Sequence, residues 1–298
     1  MRFRHLFFAA TLLMIGAFAA YSQTPAVDPN RAALNSASFA SGQPVAPGSL
    51  VSIFGTNLAS TTALAGSIPF STSLANVKVS FNGISAPISG VFPNATTGDQ
   101  INAQLPWEIL PLIPPGTAGT VSMIVTNNGV PSAPQTVKVA AAAPGIFAIT
   151  LSNGQVVGSG VGQAIAYGNS DGIIAAPAGA ITGLTTHPAK INDPSTLVIL
   201  ATGLGAVDTT VNDGDVPSVI TSKTLTTPTV MVGGVPAQVV FSGLVGRDNT
   251  GKAFGFVGVY QINAIIQPGT PTGNAVPLQI QMNGGALTPN NVTIAVSN

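Results

Sequence analysis

Few side chains in this sequence are equipped for chemistry. Beyond residue 22 there is one histidine, His187, and one glutamate, Glu108, and no cysteine occurs anywhere in the 298 residues. A catalytic triad needs an acid and a nucleophile around the imidazole, and His187, followed by Pro188 in a loop-like stretch, has neither at motif spacing. Paired carboxylates at a recognisable spacing are missing, and no glycine-rich phosphate loop opens a helix. The pattern points away from an enzyme and toward a chain without cofactor or metal.

One acidic cluster is tested against calcium. Asp208, Asp213 and Asp215 with Asn212 could gather the oxygen ligands a hard cation wants, but Asn212-Asp213-Gly214-Asp215 lacks the spacing and terminal glutamate of an EF-hand loop. Asp-Gly is first of all a turn signal, so a solvated turn is expected there.

Binding is the chemistry that remains. The tetrapeptide Gln100-Ile101-Asn102-Ala103 recurs as Gln261-Ile262-Asn263-Ala264. Its alternation puts Gln100 and Asn102, and likewise Gln261 and Asn263, on one strand face, where amides can exchange hydrogen bonds with sugar hydroxyls. The competing role, and the favoured one, is structural: each amide holds a neighbouring loop through the backbone. Trp107, the only tryptophan, follows the first copy and could stack on a sugar ring, although Pro268 stands at the matching place and edge packing is the plainer role. Tyr260 is a similar, weaker candidate.

The elements that must position these groups occur twice. Ser49 to Leu58 lies over Ser195 to Leu204 at an offset of 146 residues, the Val79 to Gly83 strand and turn over Val230 to Gly234 at 151, and the tetrapeptides at 161. Asn128-Gly129 lies under Asn283-Gly284, and Val137 and Val139 under Val292 and Ile294, at 155. Order is kept while offsets drift, as when strands persist and loops change length. Val77, Val79 and Phe81 alternate with Lys78 and Ser80, Asn82-Gly83 supplies a hairpin turn, and turn signals recur every 8 to 12 residues. The expectation is an all-β chain of two tandem immunoglobulin-like β-sandwiches related by internal duplication. Residues 23–43 are expected as linker and lead-in, 44–142 as the first sandwich, and 143–298 as the second with an extension over 143–193. Ala140 to Ala143 reads as a hinge, and Gln163 to Tyr167 is the best strand candidate in the extension.

Composition agrees with short strands. Only 18 residues are charged while Gly and Pro contribute 58, which favours tight turns over long helices. Arg2 and Arg4, the apolar run Leu6 to Ala20 and the small residues after it have the three parts of an export signal over residues 1–22; about 15 apolar residues fall short of the roughly 20 a bilayer span needs. The rest carries seven basic against nine acidic side chains, a surface that does not gather nucleic acid.

Particular motifs add a resemblance. Phe54-Gly55-Thr56-Asn57-Leu58 resembles the bend after the first strand of IPT/TIG domains, and Ala201-Thr202-Gly203-Leu204 does so loosely. Asn35-Ser36-Ala37-Ser38-Phe39, Gln100-Ile101-Asn102-Ala103 with Pro106-Trp107-Glu108, Ala143-Pro144-Gly145-Ile146-Phe147, Ala201-Thr202-Gly203-Leu204-Gly205 and Tyr260-Gln261-Ile262-Asn263 are similar to the uncharacterised Solibacter C-terminal domain family. That resemblance implies an exported, secreted or cell-surface bacterial protein and no known activity. The DNA-binding role of some TIG domains does not carry over, because the Arg- and Lys-bearing loops are absent. The function expected is a non-catalytic adhesion or scaffold module meeting an extracellular protein or polysaccharide, with carbohydrate binding as the alternative and a hydrolase a distant third.

Overall fold

The computed structural model describes residues 23–113, 117–149, 161–168, 171–181, 183–289 and 291–298. The expected export signal, residues 1–22, lies outside them. The chain is all-β: apart from one 3-10 turn of helix at Trp107–Leu112, every regular element among the described residues is a strand. No helix among them is long and apolar enough to cross a membrane.

The first half comprises β1 (Ala26–Val27), β2 (Leu34–Asn35), β3 (Leu50–Thr56), β4 (Ala63–Leu64), β5 (Val77–Phe81), β6 (Ile84–Ala86), β7 (Ile88–Phe92), β8 (Asp99–Gln104), β9 (Ala118–Asn127), β10 (Val130–Pro131) and β11 (Gln135–Ala140). One sheet runs β1-β3-β8-β7-β4 with β2 on β3; the other runs β10-β9-β5-β6 with β11 on β9. The period-2 pattern decides which face of each is buried. Val51 and Ile53, Ile101 and Ala103, Val79 and Phe81, and Met123 and Val125 all turn inward to one shared core. Pro87, between β6 and β7, marks the point where the chain leaves one sheet for the other.

The second half comprises β12 (Gly145–Ile146), β13 (Ala148–Ile149), β14 (Val161–Ala164), β15 (Ala166–Gly168), β16 (Ile174–Ala175), β17 (Thr186–His187), β18 (Ala189–Lys190), β19 (Leu197–Thr202), β20 (Thr221–Lys223), β21 (Thr229–Val232), β22 (Val235–Val245), β23 (Tyr260–Ile265), β24 (Gly273–Gln281) and β25 (Asn291–Ser297). Here the crossing strand is unbroken: β22 pairs β21 at its start and β23 at its end, so both faces join into one hydrogen-bonded path. A second core fills the space between them, from Ile199 and Ile262 to Leu278 and Ile294.

The two halves share one pairing scheme. In β3–β8, Val51, Ile53 and Gly55 face Ala103, Ile101 and Asp99; in β19–β23, Leu197, Ile199 and Ala201 face Ala264, Ile262 and Tyr260. Val79 pairs with Ala86 as Val230 pairs with Ala237, and Val79 with Val125 as Val230 with Ile280. The β-bulge between Ile88 and Gly90 recurs between Val239 and Phe241. A bulge adds a residue to one strand and re-aims the side chains beyond it, so its repetition keeps both outer faces in phase.

Three sequence expectations need correction. Residues 23–43 are no linker: Val27 faces Gly55, and Leu34 and Asn35 face Ser52 and Val51, placing this stretch inside the first sheet. Its counterpart is the start of the extension, where Ile146 faces Ala201 while Tyr167 and Gly168 face Val198 and Leu197. The hinge expected at Ala140 to Ala143 is held from both sides, since the Ala143 N–H donates to the Gly203 carbonyl and its own carbonyl accepts from Asn35 Nδ2. Finally, the last strand is displaced by two residues: Val121 pairs with Val137, but its counterpart Val276 pairs with Ile294 rather than Val292. The hairpin at Asn283-Gly284 is longer than that at Asn128-Gly129, and strand register follows loop length.

Candidate functional site

The twin tetrapeptides do the same thing in both halves. Gln100 Nε2 donates to Asn102 Oδ1 at 2.7 Å, and Gln261 Nε2 to Asn263 Oδ1 at 2.7 Å. These amides neither hold loops nor point away singly; they pair along their own strand on the half-buried outer face. In the first half Ser52 Oγ also donates to Asn102 Oδ1, at 2.9 Å. Val198 stands at that position in the second, so the pair there has no hydroxyl partner across the strand.

Tyr260 is not a ligand platform. It is fully buried, its hydroxyl donates to the Gly205 carbonyl, and burial pushes the phenol pKa far up. Alternation explains the correction: with Gln261 and Asn263 facing outward, Tyr260 must face inward. Asp99, at the equivalent place, secures the equivalent bend by accepting from the Leu58, Ala59 and Asn94 N–H groups.

Trp107 belongs to the joint between the halves. Its ring packs against the second core with the indole Nε1 buried and, among the described residues, without a hydrogen-bond partner, while its backbone N–H donates to Asp213 Oδ1 at 2.9 Å. Gly48 is required beneath it, because a Cβ there would stand 2.1 Å from the indole, and its φ of +75° already disfavours other residues. Around this contact the Gly214 N–H donates to Gln104 Oε1 (2.6 Å), the Phe70 N–H to the Gly214 carbonyl (2.8 Å), and the Leu50 N–H to Thr202 Oγ1 (3.1 Å). A Cβ on Gly214 would come within 2.7 Å of the Phe70 carbonyl, so the loop's close approach depends on glycine.

The acidic cluster separates into three tasks. Asp208 accepts from Ser222 Oγ and the Lys223 N–H, Asp215 pairs with Arg247 at 2.6 Å, and Asp213 sits at the joint. Burial pushes the Asp213 carboxyl up to about 6, and the neighbouring Glu108 carboxyl adds to the rise against the lowering effect of the Trp107 N–H. Among the described residues no three His, Cys, Asp or Glu gather as a metal would require. The loop that carries Arg247, Asp248 and Lys252 is closed on itself: Asp248 accepts from Thr250 and Lys252, and Arg247 Nη1 donates to the Gly251 carbonyl.

His187 does have an acid partner, one that no motif announces. Its Nε2 lies 2.7 Å from Asp171 Oδ2 and its Nδ1 3.1 Å from the Pro188 carbonyl. Both partners are acceptors, so the doubly protonated ring satisfies both, and the Pro188 carbonyl and Asp171 carboxylate raise its pKa. With each nitrogen engaged, neither serves as a base for a nucleophile.

A surface absent from the sequence expectations is the groove beside the joint, of about 670 Å³. Leu50, Ile68 and Phe70 of the first half and Phe147, Leu200 and Phe256 of the second line it. Phe256 is 68% exposed. The groove adjoins both amide pairs: Leu200 faces Gln261 across β19–β23, and Ser89, also in its wall, donates to the Asn102 carbonyl at 3.2 Å. Phe254-Gly255-Phe256, two phenylalanines in a glycine-bearing loop, was the signal that could have found it.

No protein-family model matches the chain, and no curated protein matches it. Among solved structures, it is similar to SGBP-B of the Bacteroides ovatus mixed-linkage glucan utilization locus, in complex with a mixed-linkage heptasaccharide, at 12% identity and a TM-score of 0.28, over 86% of this chain and 44% of that one. It is similar also to the Escherichia coli adhesin FdeC, at 11% identity and a TM-score of 0.23, over 92% of this chain and 66% of that one. The chain thus spans less than two thirds of either, and likeness at this level carries no argument about its activity.

Proposed function

We propose that the protein is an exported, non-catalytic adhesion or scaffold module, with the Solibacter C-terminal domain proteins as its family and the joint groove as its binding surface. The shared pairing scheme is read as a duplication of one immunoglobulin-like sandwich. The observation that supports the function is the groove itself: an apolar trough, carrying an exposed phenylalanine, held between two halves that at least four hydrogen bonds lock together. Apolar surface left in water is costly unless a partner covers it, and a trough on a locked frame loses little entropy when occupied. An extended protein segment with apolar side chains is the partner that suits it.

The amide pairs support a second possibility, that the groove holds a polysaccharide whose hydroxyls meet Gln261 and Asn263 while a ring lies on Phe256. The two are separated by incubating the purified protein with insoluble cellulose, chitin and xylan, and with immobilised matrix proteins such as collagen and fibronectin. In the protein-binding case, retention on a matrix protein falls at least about 10-fold in Phe256→Ser and is unchanged in the Gln261→Ala, Asn263→Ala double variant. Saturable polysaccharide depletion lost in that double variant establishes the second case. Retention indifferent to all three changes rejects the groove.

A further inference from the structure

The far end of the second half holds a cavity of about 410 Å³ that is separate from the joint groove. Its apolar floor is Leu197, Ala264 and Ile266. These three are core residues, as are Val51, Ala103 and Leu105 at the equivalent places in the first half, but there Ile109 and Ile113 of the helical turn and its end pack over them. After Ile266 the second half has only the short turn Gln267–Thr270 before β24. The helical turn that covers this end in the first half thus has no counterpart in the second, and the cavity lies there instead.

Four charged groups stand at this opening: Asp171, His187, Lys190 and Asp193. Asp171 and His187 satisfy one another, and Asp193 Oδ1 is taken by the N–H and hydroxyl of Ser195. Among the described residues Lys190 Nζ and Asp193 Oδ2 have no hydrogen-bond partner, which leaves a donor and an acceptor. Beside them Thr196, which is 8% exposed, has a buried hydroxyl without a hydrogen-bond partner and a φ of +65°. It is the only β-branched residue among the described residues with positive φ, a conformation costing about 1–3 kcal/mol. Leu50, its equivalent, carries no such strain. A strained, unpartnered hydroxyl kept at the mouth of an open end is what a binding site retains and a merely structural turn does not.

We propose that this open end binds the terminal ring of a neutral saccharide. Asp171 and Asp193 stand with Lys190 at the opening, so it presents no field of a single sign. An ammonium donor and a carboxylate acceptor at the mouth, with the Thr196 hydroxyl beneath them, match the mixed donors and acceptors of a sugar edge. The site is independent of the joint groove, and either can fail without the other.

The test is calorimetric titration and saturation-transfer NMR of the protein lacking residues 1–22 with glucose, galactose, mannose, N-acetylglucosamine and cellobiose, with glucuronate and glycine as charged comparisons. Binding of at least one neutral sugar is expected, weakened at least about 10-fold in Lys190→Ala and in Thr196→Gly and unchanged in Phe256→Ser. Thr196→Gly also separates function from folding: glycine accepts the positive φ, so this variant should melt at or above the wild-type temperature while losing binding. No neutral sugar bound at 20 mM (about the limit of such assays), binding confined to the charged compounds, or full binding by both variants overturns the proposal.

Discussion

The lower ends of the two halves begin from the same strands and finish differently. Below β3 and β8 the chain runs into a helical turn whose Ile109 is fully buried, and Trp107 beside it rests against the other half. Below β19 and β23 the connection is a short turn, and a cavity remains. The strand frame thus sets where an end lies, while the connection between two strands decides whether it becomes a joint or an opening.

The largest expected effect bears on the plug. Ile109→Ala should cost about 3 kcal/mol in denaturant unfolding by leaving a void in the first core. Pro268→Ala, at the place matching Trp107 in the second half, should change stability by less than about 0.5 kcal/mol, and equal losses would refute the contrast.

The bends come next. Asp99→Ala strands two buried N–H groups and a part-buried one and should cost about 2–3 kcal/mol, whereas Tyr260→Phe leaves one carbonyl without its donor and should cost about 1 kcal/mol, both read from urea midpoints. Gln104→Ala removes the acceptor of the Gly214 N–H and should cost about 1–2 kcal/mol, with a shift in the emission of Trp107, the sole tryptophan.

A smaller effect is pH-dependent. Asp213 holds its proton more tightly in the folded chain, so its contribution is fully present below about pH 4 and is lost as pH rises through about 6. Unfolding followed by Trp107 emission should show wild type losing about 1 kcal/mol relative to Asp213→Asn between pH 4 and 7, the figure reduced by solvent screening. Parallel curves would exclude the Asp213–Glu108 pair as the source. The smallest effect concerns the amide pairs: Gln100→Ala and Gln261→Ala should each cost less than about 0.5 kcal/mol, and a large difference between them would break the equivalence of the two outer faces.

Much of the frame was legible because strand alternation and Asn-Gly turns are local signals. Val79 and Phe81, Ile101 and Ala103, and the matched Ile199 and Ile262 all bury the faces their spacing assigns. The lead-in was missed because β1 and β2 are two residues each, too short for periodicity, and exist only through their pairing with β3. The candidate site was less legible. Gln100, Asn102, Gln261 and Asn263 lie on outer faces as expected, yet Tyr260 turned inward and Trp107 into the joint. Asp171 and His187 are 16 residues apart, and nothing in that spacing announces contact.

The sequence by itself determined an all-β chain, the order of its strands and the faces they bury, because alternation and turn chemistry act between near neighbours. Only the tertiary structure decided that the halves interlock through Gly214, Gln104 and Trp107, that a groove opens beside them, and that a helical turn covers one end while a cavity lies at the other. Those outcomes depend on residues about a hundred positions apart meeting in one place, and no local pattern encodes such a meeting.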